Sequence, residues 1–273
     1  MPVAALPSRA VLKIEGADAR GFLQGIVTQE IESSGGAMFA GLLTPQGKLS
    51  FDFFLIPSAD GFVADCAAAH ADALIKRLSM YRLRADVRIL RLESWSVECA
   101  WQGVSIRACE CSLKFSDPRL PDLGARAVRP LPGEADAGEA DYDRHRIALG
   151  VPEFGKDFGP DEMFLLDVNY DALRGVSYKK GCFVGQEVTS RMKRKGEIRR
   201  RTLLAHFDGP PPPQGAEVVA GSSTLGEVLS GVEGMALANI RLDRFELAAN
   251  PGAVIAAAGT PLHLSIPDYL KGV

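Results

Sequence analysis

Lys180-Gly181-Cys182-Phe183-Val184-Gly185-Gln186-Glu187 is entered through Gly175-Val176-Ser177-Tyr178-Lys179 and left through Arg191. With Lys179 it gathers a thiol, two ammonium groups, two glycines and an amide–carboxylate pair within about two helical turns. Gly181 and Gly185 permit a sharp turn or a close approach of the backbone to something else. From Phe183 onward the pattern turns helical, with Val184, Val188 and Met192 at every fourth position. Cys182 is therefore expected at or near a helix N-terminus, where the dipole and the neighbouring Lys179 and Lys180 favour a thiolate. The competing reading is a small residue buried at a helix start.

Working outward, the chain's 273 residues lead us to expect two domains. With 47% hydrophobic and 24% charged residues, it can bury a sizeable core without staples. Its net charge of −3 implies no global attraction to nucleic acid or membrane. Cys66, Cys99, Cys109, Cys111 and Cys182 are odd in number and form no Cys-x-x-Cys pair. That usage points to free thiols in a reducing cytoplasm. Cys109 and Cys111 are spaced for opposite faces of a strand, so no metal site is expected. Residues 1–9 lack the apolar stretch of a signal peptide, and no run approaches the ~20 residues of a membrane span. The expectation is a cytoplasmic protein without membrane contact.

The N-terminal half reads as β-α-β-β-β-α-β. A strand over 10–14 precedes a helix capped by Asp18, with Phe22, Leu23, Ile26, Val27 and Ile31 on its apolar face. Gly35-Gly36 should end it. Strands over 38–44 and 49–56 follow, joined by Pro45-Gln46-Gly47-Lys48, then a strand over 62–66. A second helix is expected to start near Asp65. In the strand over 49–56, Asp52 shares a face with Ser50, Phe54 and Ile56, where a lone carboxylate is costly. Either a cation or amide pairs with it, or it faces a cleft that a ligand fills. Later, residues 142–149 read as a short helix closed by Gly150.

Arg191-Met192-Lys193-Arg194-Lys195-Gly196-Glu197-Ile198-Arg199-Arg200-Arg201 is strongly basic. It is a solvated turn, an anion site, or an RNA-facing edge, the last weakened by the scarcity of aromatic stacking partners. Beyond it, short strands between Gly/Pro turns indicate a small antiparallel barrel or sandwich. A domain boundary is expected here, giving domains over 1–198 and 199–273.

The octapeptide 180–187 with Arg191 resembles the signature of the YgfZ family of folate-binding iron–sulfur assembly factors, related in fold to the T-protein (aminomethyltransferase) of glycine cleavage. Phe22-Leu23-Gln24-Gly25, Leu42-Leu43-Thr44-Pro45-Gln46-Gly47-Lys48, Arg146-Ile147-Ala148-Leu149-Gly150-Val151-Pro152 and Gly226-Glu227-Val228-Leu229-Ser230-Gly231 add weaker matches. The resemblance implies an α+β fold: two interlocked ferredoxin-like subdomains forming a folate-binding module, and a small C-terminal antiparallel β-barrel. It implies tetrahydrofolate, or a one-carbon derivative, as cofactor. The implied role is assembly or repair of [4Fe–4S] proteins, tRNA-modifying enzymes among them, with client or assembly proteins as partners.

In that reading Cys182 and Lys180 are the catalytic pair, Lys180 favouring the ionised thiol. Asp52, Lys180, Gly181, Gln186 and Arg191 would bind folate, while Gly185 and Glu187 shape the motif. Asp52 falls in the strand where T-proteins carry an Asp-Asp pair, with Phe51 preceding it here. Where T-proteins grip the pterin with a glutamate, this chain has Ala148 or Leu149, a departure that speaks against aminomethyl transfer. Aminomethyl transfer and a non-catalytic RNA- or protein-binding scaffold are the alternatives.

Overall fold

The computed structural model describes residues 2–31, 35–107, 112–130, 132–194, 198–248 and 254–271. Cys109, Cys111 and the centre of the basic run, Lys195 to Glu197, lie outside them.

The first two strands part company at once. β1 (Val3–Ala5) joins a second sheet, while β2 (Arg9–Glu15) enters a five-stranded antiparallel sheet. That sheet receives α1 (Ala19–Ile26), β3 (Met38–Leu43), β4 (Leu49–Ser58), β5 (Gly61–Ala67), α2 (Ala71–Arg82) and β6 (Arg88–Arg91), in strand order β3-β4-β5-β2-β6. β7 (Trp95–Ala100), β8 (Leu113–Ser116) and β9 (Ala125–Pro130) form the second sheet, in order β1-β7-β9-β8. Because β1 pairs with β7, the N-terminus stitches the two sheets into one interlocked body.

Three expectations need correction. α1 stops at Ile26 instead of running to Ile31, because Thr28 is recruited elsewhere: its hydroxyl donates to Gly175 O at 2.6 Å and accepts from Gly41 N at 2.7 Å. Asp18 does not cap α1; its carboxylate accepts the Asp86 N–H. Asp65 begins no helix. It is fully buried within β5, and α2 starts at Ala71.

Asp65 joins the sheets. Arg9 on β2 donates to its Oδ1 at 2.6 Å, and Arg126 on β9 donates to its Oδ2 at 2.8 Å. Arg126 and Arg119 both donate to the hydroxyl of Tyr142 at 3.1 Å, and Arg119 pairs with Asp117 at 2.8 Å. Burial alone would raise the Asp117 carboxyl, but the Arg119 and Arg126 guanidiniums hold it below its ordinary value. The Phe54 ring lies 4.3 Å from the Arg126 guanidinium and 4.8 Å from that of Arg119, within cation–π range.

After α3 (Glu139–Ala148), closed by Gly150 in the left-handed region, an irregular segment runs back along the first sheet to α4 (Gln186–Arg194). The C-terminal barrel comprises β10 (Arg200–His206), β11 (Glu217–Ala220), β12 (Ser223–Val232), β13 (Met235–Arg241), α5 (Leu242–Ala248), β14 (Ile255–Ala257), β15 (Thr260–Pro261) and β16 (His263–Ser265). Its order is β15-β14-β11-β12-β13-β10-β16, so two strands separated only by Leu262 occupy opposite edges. The sheet must curl until those edges meet. Leu203, Val218, Leu225, Val228, Ala238 and Ile240 fill the interior. Leu204, Leu229 and Leu237 face outward against Ile147 of α3.

Removing one partner of a buried ion pair strands the other charge. Arg126→Ala should therefore lower the unfolding free energy by about 3–5 kcal/mol in urea titration. A loss no larger than that of an exposed arginine would contradict the role assigned to Asp65.

Candidate functional site

The octapeptide docks on the β3–β4 turn through a pair of glycines. Gly185 has φ +79°, and a Cβ there would lie 2.6 Å from Thr44 O and 2.9 Å from Leu43 Cβ. Gly47, at φ +84°, would bring a Cβ within 2.8 Å of Val188 Cβ. Each turn is thus closed against the other, and neither tolerates a side chain. Gly181 differs: a Cβ there would meet nothing within 4 Å, so the fold itself does not require a glycine at that position.

The left-handed Gly185 delays the helix, which begins at Gln186 and not at Phe183. Cys182 consequently precedes α4 by a short turn and is exposed. Lys180 is buried and is not an exposed cation beside that thiol. Its ammonium donates to Gln24 O and Val27 O at 2.7 Å and to Gln29 O at 2.9 Å, pinning the chain where α1 ends. Glu187 pairs with Arg191 one turn on, at 2.7 Å on the surface of α4.

Asp52 is 3% exposed and accepts the hydroxyl of Tyr170 on Oδ2, while its Oδ1 is buried without a hydrogen-bond partner. Burial pushes this carboxyl up to about 6, against the pull of the Arg9 charge and the Tyr170 hydrogen bond. Nearby Glu153 behaves oppositely: burial would raise it, but Arg9, Arg146 and Lys156 hold it at about 2. Asp52 belongs to this buried network and does not line the cavity described next.

That cavity, of about 950 Å³, opens between α4 and the barrel. Lys48, Arg191, Arg199, Arg200 and Arg241 supply cationic walls. Met163, Phe164, Val188 and Met192 supply apolar ones, and Asp167, Glu162, Glu227 and Asn239 complete the lining. Residues 161–164 are held beside β4 by Leu49 N to Met163 O at 2.9 Å and Asp161 N to Leu49 O at 2.8 Å. The barrel is fixed to the next turn by Thr202 Oγ1 and Asn239 Nδ2, which donate to Asp167 O at 3.0 and 2.9 Å. Arg201 is internal, paired with Asp171 at 2.5 Å, so the basic run divides into cavity walls and a structural pin.

Asp167 is the residue the sequence did not announce. It is 8% exposed and takes the Phe164 N–H on Oδ2 at 3.3 Å. Burial pushes its carboxyl up to about 6, against that N–H and the charges of Arg200, Arg201 and Lys48. No periodicity marks it, because the cavity is assembled from segments far apart in the chain. Among the described residues, no three His, Cys, Asp or Glu side chains are grouped as a metal site would need, and no helix is long and apolar enough to cross a membrane.

Residues 199–272 match the family model for the CAF17 C-terminal β-barrel domain. Across 97% of this chain and 84% of the relative, the sequence is 29% identical to human "Iron-sulfur cluster assembly factor IBA57, mitochondrial". The mouse protein of that name is 30% identical over 86% of this chain and 76% of its own length. A Neurospora crassa homologue is 29% identical over 76% of this chain, which spans 54% of that longer protein. Among solved structures, aminomethyltransferase T of the glycine cleavage system from Bartonella henselae shares the fold, with a TM-score of 0.71 at 14% identity, covering 97% of this chain and 84% of that one. The expected fold class, α+β with a C-terminal antiparallel barrel, holds. The cytoplasmic location read from cysteine usage does not: the matched relatives carry mitochondrial names.

Two measurements check this geometry. Gly185→Ala should destabilise by about 1–3 kcal/mol in thermal or urea unfolding while Gly181→Ala stays near wild type; equal effects would refute the interlocked turns. Asp52 has a folded pKa raised to about 6 from an ordinary 3.8, so its contribution is present at low pH and is lost as pH rises from about 4 through 6. Asp52→Asn, which stays neutral, should gain stability relative to wild type across that window. A pH-independent difference would show that Asp52 does not titrate there.

Proposed function

The chain belongs to the IBA57 family of iron–sulfur cluster assembly factors, and from that premise we propose that it works as a tetrahydrofolate-binding member serving [4Fe–4S] proteins. Its partners are iron–sulfur client or assembly proteins, tRNA-modifying enzymes among them on the strength of the YgfZ resemblance. The observation that carries the folate part is the cavity between α4 and the barrel. Its volume lies at the upper end of small-molecule sites, large enough for a folate. Its apolar walls suit a flat aromatic middle, and Arg191, Arg199 and Arg200 suit the carboxylates of a glutamate tail. These residues fit the group, which would supply a one-carbon carrier when bound.

The chain's own contribution is positional. Lys180 ties the motif to the end of α1, Gly185 and Gly47 lock it to the β3–β4 turn, and α4 presents Arg191 to the cavity. Cys182 projects from the same motif, outside the cavity lining, where an incoming protein can reach it. One thiol cannot hold a [4Fe–4S] cluster, so cluster contact at Cys182 requires ligands from a partner. Aminomethyl transfer is the second reading, favoured by the shared fold alone. It gains no support from Ala148 or Leu149, the positions at the end of α3 where the resemblance implies the T-protein glutamate. An RNA-facing scaffold loses one of its cations to the Arg201–Asp171 pair.

In cells lacking the protein, Cys182→Ala should fold with an unchanged unfolding midpoint yet fail to restore [4Fe–4S]-enzyme activity. Full rescue by that variant would eliminate the thiol from the function. Purified protein should show no turnover of an aminomethyl-lipoyl carrier; turnover would establish the transferase reading.

A further inference from the structure

The cavity is chemically mixed, and one of its walls does not match the anionic tail it is proposed to hold. Lys48, Arg191, Arg199 and Arg200 face the space with positive charge, whereas Asp167 presents a buried carboxylate to it. Asp167 is held from behind. Its Oδ2 accepts the Phe164 N–H, and its backbone carbonyl is gripped by Thr202 and Asn239 from the barrel. Among the described residues no side chain pairs with its carboxylate, although Lys48 and Arg200 line the same cavity. A carboxylate fixed this way inside a ligand-sized cavity is ready to accept hydrogen bonds from outside the protein.

We propose that Asp167 is the specificity-determining residue of this cavity: it accepts hydrogen bonds from adjacent N–H donors of a heterocyclic ring, orienting the ligand with its anionic end toward Arg191 on α4. The proposal rests on the folate-binding reading and deepens it by naming the group that distinguishes the ring end of the ligand from its tail. Asp52 does not take that role, because its carboxylate is enclosed with Tyr170 and does not line the cavity. Met163 and Phe164, which shortly precede Asp167 in sequence, furnish an apolar surface for the ring.

A pH signature accompanies this arrangement. Ring N–H donors bind the ionised carboxylate, and burial has raised Asp167 to about 6. Affinity is therefore complete above that value and falls as pH drops through it. The charges acting on Asp167 come from Lys48 beside β4 and from Arg200 and Arg201 on β10, while Arg191 on α4, Arg199 before β10 and Arg241 on β13 line the same cavity. The remaining carboxyls of the wall, Glu162 and Glu227, persist in an Asp167 variant and would report any contribution of their own.

Isothermal titration under anaerobic conditions with two probes tests the assignment: tetrahydrofolate, and p-aminobenzoylglutamate, which keeps the benzene ring and tail but lacks the heterocycle. Asp167→Asn should weaken tetrahydrofolate about 10- to 100-fold, the range for one buried acceptor lost. It should leave p-aminobenzoylglutamate unchanged and abolish the affinity step near pH 6, a step that Asp52→Asn should retain. Equal tetrahydrofolate binding by wild type and Asp167→Asn overturns the inference while sparing the folate reading. Equal weakening of both probes assigns Asp167 a structural role and likewise overturns it. Failure of the wild type to bind tetrahydrofolate overturns the folate reading itself.

Discussion

Asp65 is the constraint on which the N-terminal module depends. A carboxylate buried in the middle of a β-strand is tolerable only if its charge is answered, and here two guanidiniums answer it from different sheets. Arg9 reaches it from within its own sheet and Arg126 from the other, so the ion cluster defines how the sheets face one another. Tyr142 and Phe54 complete the packing around the cations, bringing α3 into the same arrangement. Together with β1, which crosses between the sheets, the cluster makes their relative placement a matter of charge geometry as well as of apolar burial.

The position of the cavity follows. Once the sheets are fixed, the segment after α3 must return along the first sheet, and its hydrogen bonds to Leu49 set Phe164 and Asp167 beside Lys48. The glycine-locked turns then place α4 on the opposite side, and the barrel closes the space through Thr202, Asn239 and the Arg201–Asp171 pair. No single element owns the cavity. It is the gap left where three separately anchored pieces of chain meet.

Much of this architecture was legible in the residues, and the exceptions share a cause. Amphipathic spacing located α1 and α4 but misjudged their ends, because a tertiary demand overrode the local pattern. Thr28 is needed by Gly41 and Gly175, and Gly185 is needed in the left-handed region against Thr44. Asp65 looked like a helix start because its partner Arg126 lies 61 residues away, beyond any local window. Lys180 and Asp52 stand out in the sequence as charges in unusual company, and both look inward: one holds carbonyls, the other a tyrosine. Asp167 carried no signal, since what makes it distinctive is the set of remote residues that surround it.

The crossing of β1 has a consequence for how the molecule comes into being. Val3–Ala5 cannot find its place until Glu98–Ala100 has been synthesised, although β2, only a few residues later, can pair with β5 well before that. The N-terminus must therefore wait, unpaired, while the first sheet assembles around it. Such long-range pairing slows folding and leaves an open strand edge in the interim. A nascent chain released before residue 100 would hold a nearly complete first sheet and a loose leading strand with nothing to add itself to. The two halves are thus joined in time as well as in space, and neither is a finished folding unit without the other.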